Sequence, residues 1–476
     1  MKVAFLLLGI ALVSCATELP IATNPAILGN HELSGRVFIA KSQLEARSLK
    51  TIPENTSARV LDAPNNQPDM NRQNTFPTDT SGPNDPEFAL QANLRLIGLP
   101  RAWQINPKAR AVLVAVLDDG YDSSLFDMTD RIHLPIPPAG RFLDTGDRDN
   151  DPQAKHKSHG SAVASVIAAA TNNLTGIAGI ASEGVRVVPI KVFGDDGQAS
   201  TETIAAGLET AIAIGARVAN VSLGIELNDA DGRHCVTDAR SATLDAALRH
   251  AAEAGLLVIA ASGNDGSGNI CYPASNPDTL AVGSINDDRK RSSFSSHGAG
   301  LDLVAPGNRV LTITDGRITT MSGTSFSAPT VAGVAALLFA QGTTSSDQVF
   351  VRLLETASDL GDAGRDREFG AGLVRADLAL EQNIPEQGTQ TVQGWPMVAT
   401  VSNENGILRQ QRSTFNAQGL AAYSFKDLPA GTYSVRLLID KNGNGLEDAG
   451  DLTGSRTVRF DGSALYSQDV KLEPVP

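Results

Sequence analysis

Basic residues are what this sequence is shortest of relative to its acids: 39 lysines and arginines stand against 53 acidic residues, a formal net charge of −14. That balance argues against nucleic acid, and against an anionic membrane surface, as the main partner. Cysteine is scarcer still, and three residues leave room for one disulfide at most. The opening apolar run, Val3 to Val13 behind the cation of Lys2, is too short to span a bilayer and reads as a secretory signal. No tandem repeat of the length that marks a solenoid is present. What the chain does have is size and apolar content: 476 residues, 41% of them hydrophobic, suffice for one large domain with a substantial core and one or two smaller ones. Such a composition excludes a disordered chain.

The signal-like run ends in Leu12-Val13-Ser14-Cys15, which resembles the lipobox of bacterial lipoproteins. By that resemblance residues 1–14 form a signal peptide and the Cys15 thiol is acylated. The expectation is an exported bacterial lipoprotein, held at the cell envelope or cell surface by a lipid anchor and by no spanning segment. In an exported chain Cys235 and Cys271 face an oxidising compartment, where they either pair or remain as two buried thiols. Residues 15–82 are polar and rich in Asn, Thr, Pro and Ser, and are expected to be a mostly irregular tether or a short pro-segment.

From residue 83 to 383 the pattern changes. Ala111 to Leu117, Val185 to Val192, Arg217 to Ser222 and Leu256 to Ala261 are β-branched runs that read as buried strands. Ser161 to Ala170, Thr201 to Ile214, Ser241 to Ala254 and Ser325 to Phe339 carry apolar residues at helical spacing. Strand and helix in alternation predict an α/β domain: a doubly wound, mainly parallel sheet with helices on both faces and functional groups at the carboxyl ends of its strands. Residues 384–476 lose the helical signal. Met397 to Val401, Ala421 to Phe425, Thr432 to Leu438 and Thr457 to Phe460 alternate instead, which predicts a small all-β sandwich.

Three features in the α/β region carry chemistry. Strand 111–117 runs into Asp118, an acid at the carboxyl end of a buried strand. His159 opens an apolar helix, where the helix dipole disfavours an imidazolium and a titratable ring needs a reason to be. Ser325 begins another helix behind Gly323-Thr324, at a place that also suits a plain N-cap. Each has an ordinary structural explanation taken alone. Together, in the order Asp, His, Ser, they offer an acid, a base and a nucleophile.

The blocks VAVLDDGYD, SHGSAVASVIAA, VANVSLG, IAASGND and SGTSFSAPTVAGVAALL resemble, in order, those of the subtilisin-like serine peptidases. NDPEFALQANLRLIGLPRAW and GAGLVRADLAL are similar to that family's entry and closing segments, so the likeness extends over about 300 residues. It implies a serine endopeptidase acting on protein or peptide substrates through an acyl-enzyme on Ser325, with Asp118 and His159 as acid and base. It also implies Asn264 as a side-chain oxyanion donor, with Ser222, Leu223, Gly224, Ala261, Ser262 and Gly263 lining the cleft in which a substrate backbone adds as an extra strand. Asp119, Ala162 and Ser165 depart from the usual pattern, and His156 is a rival base. No cofactor is implied for catalysis, and nothing in the sequence indicates an oligomeric state.

Asp440, Asn442, Asn444, Leu446, Asp448 and Asp451 occupy ligand positions of a calcium loop, with an Asn/Gly-rich hairpin as the ordinary alternative. Such a calcium ion would be structural. Asp147, Asp149 and Asp151 form a second acidic loop ahead of His159, a further candidate for calcium.

Overall fold

The computed structural model describes residues 32–37, 50–51, 57–60, 82–105, 110–123, 125–155, 158–181, 183–229, 232–236, 239–298, 300–362, 364–381, 396–404, 406–414, 421–426, 431–440, 452–460, 465–466 and 473–474. Three strands come first: β1 (Glu32–Val37), β2 (Lys50–Thr51) and β3 (Ser57–Val60). Two short helices, α1 (Ala92–Leu96) and α2 (Leu99–Ile105), lead to β4 (Val112–Asp118), α3 (His159–Ala168), β5 (Val185–Lys191), β6 (Ala199–Ser200), α4 (Thr201–Ala213) and β7 (Val218–Val221). Next follow β8 (Leu223–Asp229), β9 (Gly232–Cys235), β10 (Ala239–Arg240), α5 (Ala242–Glu253), β11 (Leu257–Ala261), β12 (Leu280–Ile285) and β13 (Leu303–Pro306). A hairpin, β14 (Val310–Thr314) and β15 (Arg317–Met321), precedes α6 (Thr324–Gln341), α7 (Ser346–Glu355) and α8 (Ala376–Glu381). The remainder is β16 (Pro396–Asn403), β17 (Gly406–Thr414), β18 (Ala421–Lys426), β19 (Gly431–Ile439), β20 (Leu452–Phe460), β21 (Leu465–Tyr466) and β22 (Glu473–Pro474).

Strands β13, β12, β11, β7, β4 and β5 form, in that order, a six-stranded parallel sheet. Val112, Val114 and Val116 show why β4 is a strand: β-branched side chains pack well on a pleated surface, and both faces of this one are buried. The chain leaves β4 for β5 on one side and comes back to β7 on the other, so the crossovers reverse direction at β4. A crevice at the carboxyl ends of the strands opens at such a reversal. Helix α6 packs against the sheet from Thr324 to Ala340, every residue of that stretch buried. By length and composition α6 could cross a membrane, yet 94% of its apolar window lies inside the protein, where it is the central core helix.

In this α/β region the predicted strands and helices match those observed to within about two residues, the usual scatter at element ends. Within residues 15–82, expected to be a mostly irregular tether or short pro-segment, three strands are described, and each pairs with strands from outside that stretch. The β-region is divided into two sheets, a five-stranded antiparallel one (β17, β16, β19, β20, β22) and a three-stranded one (β18, β1, β21). Strand β1 therefore belongs to a sheet otherwise built from residues beyond 420. On β19 the alternation is clear, with Tyr433, Val435, Leu437 and Ile439 buried on one face.

At the carboxyl end of β5 the buried Lys191 Nζ donates to Asp144 Oδ2 (2.7 Å), Asp147 Oδ2 (2.5 Å) and Asp195 Oδ1 (2.9 Å). Burial works against the ammonium, but the three carboxylates outweigh it and hold its pKa above the ordinary lysine value. This cation ties the loop before α3 and the turn after β5 to the strand beside Asp118, with which Lys191 is in register. Lys191→Met is expected to destabilise the fold by about 3–5 kcal/mol, since it leaves the buried Asp144 without its counter-charge. Burial already holds the Asp144 carboxyl above its ordinary pKa, so the loss, read from urea unfolding, should shrink as the pH is lowered and that group takes up a proton.

Candidate active site

Asp118 is the last residue of β4 and His159 the first of α3. His159 Nδ1 and Asp118 Oδ1 are 2.8 Å apart, and both side chains are buried. An ionised Asp118 accepts from Nδ1–H, which fixes the tautomer and leaves Nε2 as the basic nitrogen. The helix start that carries the ring is itself held in place. Ser158 Oγ accepts from Ser161 N (2.9 Å) and donates to Gly120 O (3.1 Å), while Thr314 Oγ1 donates to Ser158 O (2.7 Å). The two family departures in α3 are absorbed by packing. Ala162 is fully buried, and Ser165 Oγ donates to Ala162 O (2.7 Å) and accepts from Ile313 N (2.9 Å).

Asp119, the other acid of the pair, does different work. Its Oδ2 accepts from His159 N (2.9 Å) and its Oδ1 from Gly160 N (2.8 Å), so it caps the first turn of α3. Gly160 has no room for a Cβ, which would run into Gly120 O and Asp118 Cβ. Burial, and then the Asp118 charge, push the Asp119 carboxyl up to about 7, against the pull of His159 and of the two amides.

Ser325 lies in the first turn of α6, and the imidazole of His159 sits 5.6 Å from the ring of its neighbour Phe326, centroid to centroid. Ser325 Oγ donates to Ser222 O (3.3 Å), Ser222 Oγ donates to Ser325 O (2.9 Å), and Asn220 Nδ2 donates to Ser222 Oγ (2.8 Å). The side chain of Asn264 is oriented by Thr324: its Oδ1 accepts from Thr324 N (2.9 Å) and from Thr324 Oγ1 (3.0 Å). With its carbonyl oxygen engaged by Thr324, the amide's donor group is Nδ2–H₂. Gly263, just before it, has φ 114°, and a Cβ there would strike Cys271 Sγ. Cys271 is joined to Cys235 in a disulfide, its backbone N donates to Ser262 O (2.9 Å), and Cys235 N donates to Asp265 Oδ2 (3.2 Å). The disulfide thus binds the end of β9 to the turn that carries Asn264.

Asp118, His159, Ser325, Asn264, Ser222, Leu223, Gly224, Ala261, Ser262 and Gly263 all fall at the carboxyl ends of β4, β7 and β11 or on the two helix starts facing them. Thr324 and Asn220 were not singled out from the sequence. Thr324 had a signal in its place between Gly323 and Ser325, but Asn220 is an ordinary strand residue until the fold turns its amide on Ser222. The acidic loop ahead of His159 is not a convergent set: Asp147 joins Asp144 and Asp195 around Lys191, whereas Asp149 Oδ1 and Asp151 Oδ1 accept from the backbone N of Asp151 and Gln153. Asp440 is buried at the end of β19. Asn442, Asn444, Leu446, Asp448, Asp451, Cys15 and His156 lie outside the described residues.

The family model described as "Subtilase family" matches residues 109–372. Alkaline elastase YaB of Bacillus sp. (strain YaB) is 38% identical over 270 residues, which span 56% of this chain and 64% of the relative's length. Subtilisin Savinase of Lederbergia lenta is 41% identical over 223 residues, 46% of this chain and 77% of the relative. A longer alignment, over 425 residues at 29% identity, joins 89% of this chain to 74% of the halolysin-like extracellular serine protease Nep of Natrialba magadii.

If Asp119 caps the helix and also adds negative charge beside the imidazole, Asp119→Asn removes a field that favours the imidazolium. The acidic limb of kcat/KM against pH is then expected to move to lower pH, and an unmoved limb would show that the charge of Asp119 does not reach His159.

Proposed function

The chain belongs to the subtilase family, and we propose on that footing that it is a serine endopeptidase acting on proteins and peptides. The observation that carries this reading is the buried 2.8 Å bond between His159 and Asp118, made beside the helix turn that holds Ser325. His159 Nε2 takes the Ser325 Oγ proton as the oxygen attacks a peptide carbonyl, and Asp118 stabilises the imidazolium so formed. Asn264 Nδ2 donates to the oxyanion. The imidazolium then returns its proton to the leaving amine, and water, deprotonated by the same ring, releases the acyl group from Ser325. The chemistry calls for no cofactor.

A fluorophosphonate or peptidyl phosphonate probe is expected to label the wild-type protein on Ser325 and to leave Ser325→Ala unlabelled. Asn264→Ala should keep KM and lose on the order of 100- to 1000-fold in kcat, a magnitude known for such a donor in a subtilisin. A wild type that takes no label counts against the enzyme.

Around this centre we infer an exported lipoprotein anchored through Cys15 after removal of residues 1–14. The lipobox-like LVSC, the Cys235–Cys271 disulfide and the word "extracellular" in the name of the Natrialba magadii relative support export. Mass spectrometry of protein from the membrane fraction should find Cys15 as an acylated N-terminus; an unmodified N-terminus elsewhere in the 15–82 stretch counts against anchoring. We further infer that residues 83–383 carry the chemistry and residues 384–476 an accessory β-unit. In that unit Asp440, Asn442, Asn444, Leu446, Asp448 and Asp451 hold a structural calcium ion, a reading supported by the spacing of oxygen donors around Gly445.

A further inference from the structure

Ser165 departs from the family pattern inside the helix that begins with His159, and its hydroxyl reaches the hairpin that leads to Ser325. That hairpin, β14–β15, is paired from Val310–Met321 to Thr314–Arg317 around Asp315-Gly316, both of which have positive φ, as a two-residue turn demands. In such a hairpin the pair flanking the turn exchanges both backbone hydrogen bonds, and the pair behind it exchanges none. The N–H of Ile313 therefore points away from β15, and Ile313 is fully buried. Without an acceptor that N–H would be an orphan. Ser165 Oγ accepts it at 2.9 Å and donates in turn to Ala162 O at 2.7 Å. One residue on, Thr314 Oγ1 donates to Ser158 O (2.7 Å), the carbonyl at the start of α3.

The base of the same hairpin is fastened to the turn ahead of Ser325. Gly323 N donates to Gly307 O (2.8 Å), and Arg309 N donates to Ser322 Oγ (2.9 Å). Gly307 lies so close that a Cβ there would run into Ser327 Oγ and the carbonyl of Gly323. Strand β15 ends at Met321, which leaves only Ser322, Gly323 and Thr324 before Ser325. Tip and base of one hairpin thus hold the two helix starts that carry His159 and Ser325, residues far apart in the sequence.

We propose that β14–β15 is a brace that sets the separation between the His159 imidazole and the Ser325 hydroxyl, with Thr314 and Ser165 as its positioning residues. This rests on the peptidase reading above. Both residues act through α3 and not on a substrate. The hydroxyl of Ser165 supplies an acceptor that a glycine at that place would lack, and so ties the tip of the hairpin to α3 at a second point. Proton transfer from Ser325 to His159 depends steeply on distance, so a loosened tip slows the chemical step and leaves substrate pairing along Leu223 and Gly224 as it was.

The test uses the full chain. Thr314→Val and Ser165→Ala each remove one attachment, and Thr314→Ser keeps the hydroxyl. Thr356→Val is the control, because it removes a buried hydroxyl that donates to Arg352 O (2.7 Å) at the end of α7. Each variant is checked for folding by circular dichroism and assayed well below its unfolding transition. The readouts are kcat and KM on a peptide p-nitroanilide that the wild type hydrolyses, and the rate of labelling by the phosphonate probe. Thr314→Val and Ser165→Ala are expected to lose about tenfold in kcat and in labelling rate with KM within about twofold, since a misplacement of about 1 Å costs about 100-fold and these shifts are smaller. Thr314→Ser and Thr356→Val are expected to stay near the wild type. Thr314 is only partly buried, so Thr314→Val decides the matter if Ser165→Ala does not fold. An unchanged kcat in folded Thr314→Val, or a raised KM in place of a lowered kcat, overturns the brace. So does a Thr314→Ser as slow as Thr314→Val, or an equal loss in Thr356→Val. All four of those results leave the peptidase reading standing, whereas a wild type that takes no label overturns that reading itself.

Discussion

A carboxylate as deeply buried as Asp118 is stable only if something nearby offsets its lost hydration, and the His159 ring does so through one short hydrogen bond. The bond constrains everything around it. It requires β4 to end where α3 begins, although 40 residues lie between Asp118 and His159, and the start of α6 brings Ser325 to the same crevice. Because the parallel sheet reverses its winding at β4, the carboxyl ends of β4, β7 and β11 form one rim, and Asp118, Ser222 and the turn leading to Asn264 lie along it. The geometry of the candidate site is a property of sheet order before it is a property of any side chain.

The rim is acidic, and the fold treats its acids in distinct ways. Asp118 is matched to an imidazole. Asp119 is turned onto the first backbone amides of α3, where the helix dipole is favourable, yet burial still leaves its carboxyl far above the ordinary range. Asp144, Asp147 and Asp195 share the single ammonium of Lys191. A divalent ion on three carboxylates would serve the same purpose with a charge that exchanges with solvent, whereas a lysine in a core strand is covalently part of the sheet. The loop before α3 is thereby attached directly to the strand next to Asp118.

Ser325 and Asn264 are supported by a different class of contact. Thr324 holds Asn264 through both its amide and its hydroxyl, and Ser222 exchanges hydrogen bonds with Ser325 in both directions. Beneath this network the Cys235–Cys271 disulfide presses against Gly263 and fixes the turn from below. Two strands of the N-terminal region make further pairings: β3 joins β8 and β6, and β1 joins β18 and β21.

Asp118, His159 and Ser325 each had an ordinary structural explanation taken alone and were legible only as a set, in the order acid, base, hydroxyl, whereas Asn264 came from the family resemblance. The parallel sheet was legible directly, because buried β-branched runs separated by amphipathic helices admit few other arrangements. Strand β17, GILRQQRST, was missed because its polar sequence lacks the alternation that marks a half-buried strand, and Ile407, Arg409 and Gln410 are exposed. Asp119 and Asp118 could be ranked from the sequence only by position, and it took the helix start to separate a cap from a charge partner. What the linear order of residues determined was therefore local: the elements, their ends and the chemistry on offer there. Which acid meets the imidazole, which threonine orients the amide, and which strand of the N-terminal region pairs with β8 were decided by tertiary structure alone, because hydrogen bonds between residues 41 to 167 positions apart exist only once the sheet order has closed the distance between them.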